Sequence, residues 1–226
     1  MKKYILLLLS AVLLLSEIMF QVEPKIGFLS YAILIGGCLI SLAKTDSLNN
    51  SGKLIIIFMI LPIIRIAGLF IEFDYLWNSL IVYYFLCFLV FYYLAKFDIK
   101  LEFNWKKWYL LVLGIIVAFG LGILIKTAFE VESVSKIIFL LPVMVLSEEV
   151  LFRGMIQNLV NKTNGLFVSV VFTSVIYGIF SLGLGVPLAL VMFFASLIMC
   201  LIYHYSKNIL FTVMFSLVFQ LVVFAL

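Results

Sequence analysis

Charge is what this sequence has least of. Of its 226 residues only 12% are Asp, Glu, Lys or Arg, while 66% are apolar; globular chains carry about 25% charged residues. So little polarity cannot cover a soluble domain, and the chain reads as an integral membrane protein. Histidine is scarcer still, with His204 alone. One histidine cannot furnish a two-histidine zinc site, and HExxH is missing. Neither a G-x-S-x-G elbow, a Ser-xxx-Lys dyad in a membrane helix nor a glycine-rich phosphate loop occurs, so no metal and no cofactor is expected. The three cysteines, Cys38, Cys87 and Cys200, sit in different apolar segments without CxxC spacing, which argues against a disulfide framework.

What is present is a succession of apolar runs, about residues 4–20, 26–42, 54–71, 75–94, 108–125, 137–152, 166–180, 187–205 and 209–226. Several are short for a helix that needs about 20 apolar residues, so the expected fold is an all-α, polytopic transmembrane bundle of eight to nine helices. Met1-Lys2-Lys3 and the run behind it have the layout of a signal peptide. Ser16-Glu17-Ile18-Met19-Phe20 offers no small-x-small cleavage site, so this segment is expected to remain as the first helix.

The formal charge of +4 is carried by lysines in short loops rather than on one basic face, which reads as a topology signal and not as a nucleic-acid footprint. With Lys2 and Lys3 inside, alternation puts Lys44, Lys53, Lys96, Lys100, Lys106, Lys107, Arg153, Lys162 and Lys207 inside against Lys25, Lys126 and Lys136 outside, so a cytoplasmic N-terminus obeys the positive-inside rule. Abundant Asn, Lys, Ile and Phe and the lack of an organelle signal point to a bacterial plasma membrane. The mixed lysine and aromatic strip from Lys96 to Trp108 is expected to lie at headgroup level as a lipid anchor. It also marks a boundary between N-terminal helices, 1–107, and a functional core, 108–226. Gly36, Gly37, Gly114, Gly120 and Gly122 are expected at close helix contacts.

Charge inside the apolar runs stands out against this background. Arg65, in a run broken by Pro62, either lines a cavity or snorkels or pairs with carbonyls of a neighbouring helix. Ser147-Glu148-Glu149-Val150-Leu151-Phe152-Arg153-Gly154 gathers three charges at the end of one run. Each costs about 2.5–3.5 kcal/mol at membrane depth even on lenient scales, so together they require pairing, water or a chemical use. On an α-helix Glu149 and Arg153 stack four apart, acid first, and can neutralise each other. Glu148 is turned about 100° away, without an obvious local partner. The set reads either as a buried ion pair that fixes register, with Glu148 facing water, or as a site in which a partly desolvated Glu148 acts as general base toward water.

Glu148-Glu149-Val150-Leu151-Phe152-Arg153-Gly154 resembles the EExxxR signature of the CPBP family, the CAAX-prenyl-protease-like and bacteriocin-processing or self-immunity membrane proteins. The resemblance continues through Pro142, Gln157–Asn164 and Ser169–Ser181, with Tyr203–Gln220 similar to a third block, and it covers about residues 137–226. It implies an intramembrane endopeptidase in which Glu148 is the base and Glu149 and Arg153 support the site. It also implies a water-activating histidine in the second block. In the third, a histidine and an Asn or Asp four residues later stabilise the oxyanion.

Here the sequence departs from the family. The second block ends Tyr177-Gly178-Ile179-Phe180-Ser181 and the third reads Ser216-Leu217-Val218-Phe219-Gln220, so both histidines are serines and the Asn is Gln220. Serine can hold a water but cannot take up a proton near neutral pH. Losing an acid–base group costs about 10²–10⁴ in rate, and losing an oxyanion donor about 10²–10³. His204-Tyr205-Ser206-Lys207-Asn208 has the form His-xxx-Asn, yet it lies twelve residues before the expected site at Ser216 and beside a loop lysine, which suits an interfacial histidine. The expected function is therefore a non-catalytic or impaired homologue that binds a membrane peptide or partner membrane protein, in contact with membrane lipid, as regulator, scaffold or bacteriocin-immunity protein. The alternative is an active glutamate-type endopeptidase cutting a membrane-embedded or prenylated peptide. Solute transport is a weaker third, since neither internal repeats nor matched interrupted helices are evident.

Overall fold

Long apolar runs leave backbone amides nothing to bond except their own chain, and they fold accordingly into helices. The computed structural model describes residues 3–43, 49–63, 65, 76–129 and 138–225. In chain order the helices are α1 (Lys3–Val22), α2 (Pro24–Ala43), α3 (Asn50–Phe58), α4 (Leu76–Lys96), α5 (Tyr109–Phe129), α6 (Leu141–Glu149), α7 (Asn158–Asn164), α8 (Leu166–Phe180), α9 (Val186–Ser206) and α10 (Ile209–Gln220). A π-helical stretch, Val150–Gln157, continues α6 into α7. A 3₁₀ turn, Ser181–Leu184, follows α8, and a second π-helical piece, Leu221–Ala225, follows α10. No strand is found among the described residues. The fold is all-α, as expected, and four helical stretches are long and apolar enough to cross a membrane: Pro24–Ala43, Tyr109–Ala128, Leu166–Gly183 and Val186–Ser206. Their outward residues, among them Leu29, Ile116, Phe167 and Phe194, are large, apolar and exposed, as lipid contact requires. This is a membrane protein.

Local chemistry sets the ends. Asn49 accepts from Gly52 N at 2.8 Å and Asn208 from Leu210 N at 3.0 Å, each capping the helix it precedes. Pro24 and Pro142 stand in the first turns of α2 and α6, where a missing N–H costs nothing. Within helices, hydroxyls bond backward: Ser16 donates to Val12 O at 2.9 Å and Ser147 to Val143 O at 2.7 Å. The third apolar segment does not run on as one helix. α3 stops at Phe58, the carbonyl against which the ring of Pro62 would press, and a tight turn at Met59–Ile60 follows. Residues 64 and 66–75 of that segment lie outside the described residues.

The chain divides into two compact units. The first comprises Met1–Ile66 and Met155–Ile198. In it α1 packs on α2, α8 and the 3₁₀ turn, while α3 meets α2 and α7. The second comprises Ala67–Gly154 and Met199–Leu226. There α10 lies against α5 and α6, and α4 against α6. Gly114 and Gly122 of α5 mark the close approach expected of them, since a methyl at Gly122 would sit 2.8 Å from Val222 Cβ and one at Gly114 3.6 Å from Phe215. A methyl at Gly36, Gly37 or Gly120 would meet nothing within 4 Å among the described residues.

The strip after α4 departs from a simple lipid anchor. Phe97 and Ile99 are buried, and the backbone at 102–104 pairs with the turn between α9 and α10. Ile209 N donates to Glu102 O and Asn104 N to Lys207 O, both at 3.2 Å. Lys107 Nζ donates to Tyr205 O at 2.8 Å. An extended segment needs backbone partners, and that turn supplies them. Phe103, Trp105 and Trp108 stay exposed.

Candidate functional site

In the second unit the signature residues meet the third block. α6 carries Glu148 and Glu149; at Val150 the winding opens to π-helix, and Arg153 lies in that wider stretch. Such stretches are rare and recur at functional sites. The ion pair anticipated at i, i+4 is formed despite the change of pitch: Arg153 Nη1 donates to Glu149 Oε1 at 3.2 Å, with both side chains fully buried.

Ser216 of α10 completes the cluster. Its hydroxyl donates to the same Glu149 Oε1 at 2.8 Å and also lies 3.3 Å from Met199 Sδ. Thr212, one turn earlier on α10, donates its hydroxyl to Ile209 O at 2.9 Å, back into its own helix. One oxygen of Glu149, at the end of α6, thus accepts from the adjoining π-helical stretch and from α10, 67 residues away in sequence. Glu149 Oε2 and Gln220 Oε1 are buried without a hydrogen-bond partner among the described residues. Gln220 shares the Ser216 face of α10, one turn on, at the position that the resemblance assigns to an oxyanion donor; its amide carries an acceptor, Oε1, and a donor, Nε2.

Chemically, Glu149 is committed. Its charge is balanced by a buried guanidinium and Oε1 also accepts from the Ser216 hydroxyl, the arrangement that offsets the cost of burying an ion pair. Glu148 is buried too, at 9% exposure, so it does not simply face water.

Ser181 belongs to the first unit. It opens the 3₁₀ turn at the end of α8, is buried, and donates its hydroxyl to Tyr177 O at 2.8 Å, back into its own helix. An apolar groove of about 200 Å³ borders that turn, lined by Leu14, Val175, Ile179, Leu182, Leu190 and Phe193 among others. His204, half-buried in the last turn of α9, packs edge-on against the Tyr205 ring.

Arg65 finds a partner that the sequence reading did not supply. Its Nε lies 3.5 Å from Glu17 Oε2, its guanidinium sits 4.8 Å from the Phe20 ring centroid, and Tyr31 donates its hydroxyl to Glu17 Oε1. The signal was an acid inside the apolar run of α1, visible but read only for cleavage.

Comparison with known proteins assigns the second half of the chain. The family model described as Type II CAAX prenyl endopeptidase Rce1-like matches residues 104–222, more than half of the 226. That span includes Glu148, Glu149, Arg153, Ser181, Ser216 and Gln220. Neither a curated protein nor a solved structure matches.

Proposed function

We propose that this chain, which belongs to the Rce1-like family of type II CAAX prenyl endopeptidases, is a member without efficient proteolysis that holds a membrane-embedded peptide or a partner membrane protein. One observation carries the reading: Ser216, standing where the resembling third block has a histidine, gives its hydroxyl to Glu149 Oε1 at 2.8 Å. A serine so engaged is given to Glu149 rather than to an oxyanion, and Ser181 is likewise tied to Tyr177 O. Glu148 would then manage both proton transfers alone; losing the second-block acid–base group costs about 10²–10⁴ in rate and losing an oxyanion donor about 10²–10³. The apolar groove beside the Ser181 turn supports the binding half, since it suits an apolar segment better than a polar one.

In this reading residues 108–226 form the peptide-holding core and 1–107 the helices in front of it. The N-terminus is cytoplasmic, in a bacterial plasma membrane, and the role is that of regulator, scaffold or bacteriocin-immunity protein. The test uses the full chain in lipid nanodiscs with a quenched fluorogenic peptide built as an apolar span. The unsubstituted protein is expected to cleave no faster than its E148Q variant, and S181H/S216H to raise cleavage at least tenfold. Cleavage by the unsubstituted chain that disappears in E148Q, at equal folded protein, would overturn the proposal and establish the active endopeptidase.

A further inference from the structure

The buried charges of the first unit have no part in the site just described, yet they meet at the turn that begins with Ser181. Glu17 is fully buried within α1, and Arg65 and Tyr31 are buried with it. Arg65 is held on two sides: Glu17 Oε2 lies 3.5 Å from its Nε and the Phe20 ring faces its guanidinium at 4.8 Å. Tyr31 in turn bonds the other oxygen of Glu17. A third side of the guanidinium rests on Gly183. A methyl built there would stand 2.5 Å from Arg65 Nη2 and 2.6 Å from both Cζ and Nη1, so the planar group lies flat against the backbone of that residue. Gly183 is the third residue of the 3₁₀ turn whose first residue is Ser181.

Such a contact needs a planar cation rather than any cation. A guanidinium can stack on a ring with one face and on a backbone with its edge or other face while still donating to a carboxylate; a compact ammonium cannot do all three. The cost of burying Glu17 and Arg65 among apolar helices is offset by their pairing, and the pair is thereby fixed in position. 3₁₀ turns have poorer hydrogen-bond geometry than α-helix and are more easily opened.

We propose that Arg65 is a positioning residue: set by Glu17, Tyr31 and Phe20, it braces Gly183 and so fixes the turn that holds Ser181 at the end of α8. N-terminal helices outside the span of the family match thus act on a residue inside it. The inference does not depend on whether the protein cleaves peptide.

The experiment reads the turn directly. The full chain carrying S181C is purified in nanodiscs and exposed to a small methanethiosulfonate reagent, and modification at each cysteine is quantified by peptide mass spectrometry. Cys38 and Cys200, both buried, report any general loosening. Adding R65A is expected to raise the rate at position 181 about tenfold with Cys200 unchanged, as local opening does. Adding R65K, which keeps the ion pair but loses the planar contact, should give a smaller rise. Should R65A not accumulate, G183A gives the same reading with both charges in place, because its methyl displaces the guanidinium. A rate at 181 that stays within twofold of the parent in R65A and G183A, or that rises only in step with Cys200, overturns the proposal.

Discussion

Glu149–Arg153 and Glu17–Arg65 are both buried carboxylate–guanidinium pairs, and they are built in opposite ways. The first is local: two residues four apart along one helical rod, N–O 3.2 Å, both fully buried, with Ser216 arriving from α10. The second joins α1 to a residue beyond α3 at 3.5 Å, with Arg65 about one-tenth exposed, and it needs Tyr31 and Phe20 to complete it. A local pair can form as soon as its helix does, whereas a pair between segments can form only when their helices have packed. The first therefore belongs to the identity of its segment and the second to the assembly of its unit.

Removing one partner from each pair is the strongest way to separate them. Arg153→Ala leaves a fully buried carboxylate without its counter-charge, so a loss of about 3–5 kcal/mol is expected, seen as failure to accumulate or as a large fall in thermal midpoint in detergent. E149Q/R153M, which removes both charges, should recover much of that loss. Arg65→Ala should cost about 2 kcal/mol, because the pair is longer and Arg65 keeps some exposure. Equal losses in the two variants would mean that the second pair is as deeply buried in function as the first. Ser216→Ala comes next, at about 1.5 kcal/mol, the usual worth of a hydrogen bond to a charged group. An unchanged midpoint in that variant would show that the hydroxyl bond to Glu149 contributes nothing, and would remove the observation on which the proposed function stands.

How legible these features were in the sequence follows from the same distinction. Helices, their order and the Glu149–Arg153 pair were legible, since apolar runs and an i, i+4 spacing are local patterns. Ser216 was legible as a position in a motif but not as a ligand of Glu149, because the two are 67 residues apart and only the packing of α10 against α6 joins them. The Arg65–Glu17 pair was half legible: each residue is an anomaly in an apolar run, and no local rule says which anomalies meet. The opening to π-helix at Val150 and the stop of α3 at Phe58 differ in the same way. Pro62 announces the second, whereas nothing in Val150–Gln157 announces the first, which depends on how Arg153 and its neighbours must pack.

The finest test of the comparison needs only one methyl in each unit. Gly154, in the π-helical stretch next to Arg153, and Gly183, in the 3₁₀ turn against Arg65, both have backbone angles open to any residue, so conformational strain does not separate them. Alanine at either gains roughly 0.5–1 kcal/mol by restricting the unfolded chain. At Gly154 the new methyl would come within 2.9 Å of Leu101 Cδ2, the free end of a flexible side chain that can turn aside. Gly154→Ala is therefore expected to be close to neutral. At Gly183 the obstacle is a guanidinium at 2.5 Å that Glu17 and Phe20 hold in place. That group cannot yield without loosening its ion pair, so Gly183→Ala should cost about 1 kcal/mol net. In the R65A background the same substitution should lose its cost, since the obstacle is gone. Thermal midpoints of the two single variants and of G183A/R65A decide the matter, and a penalty at Gly183 that persists without Arg65 would show that the brace is not what the methyl disturbs.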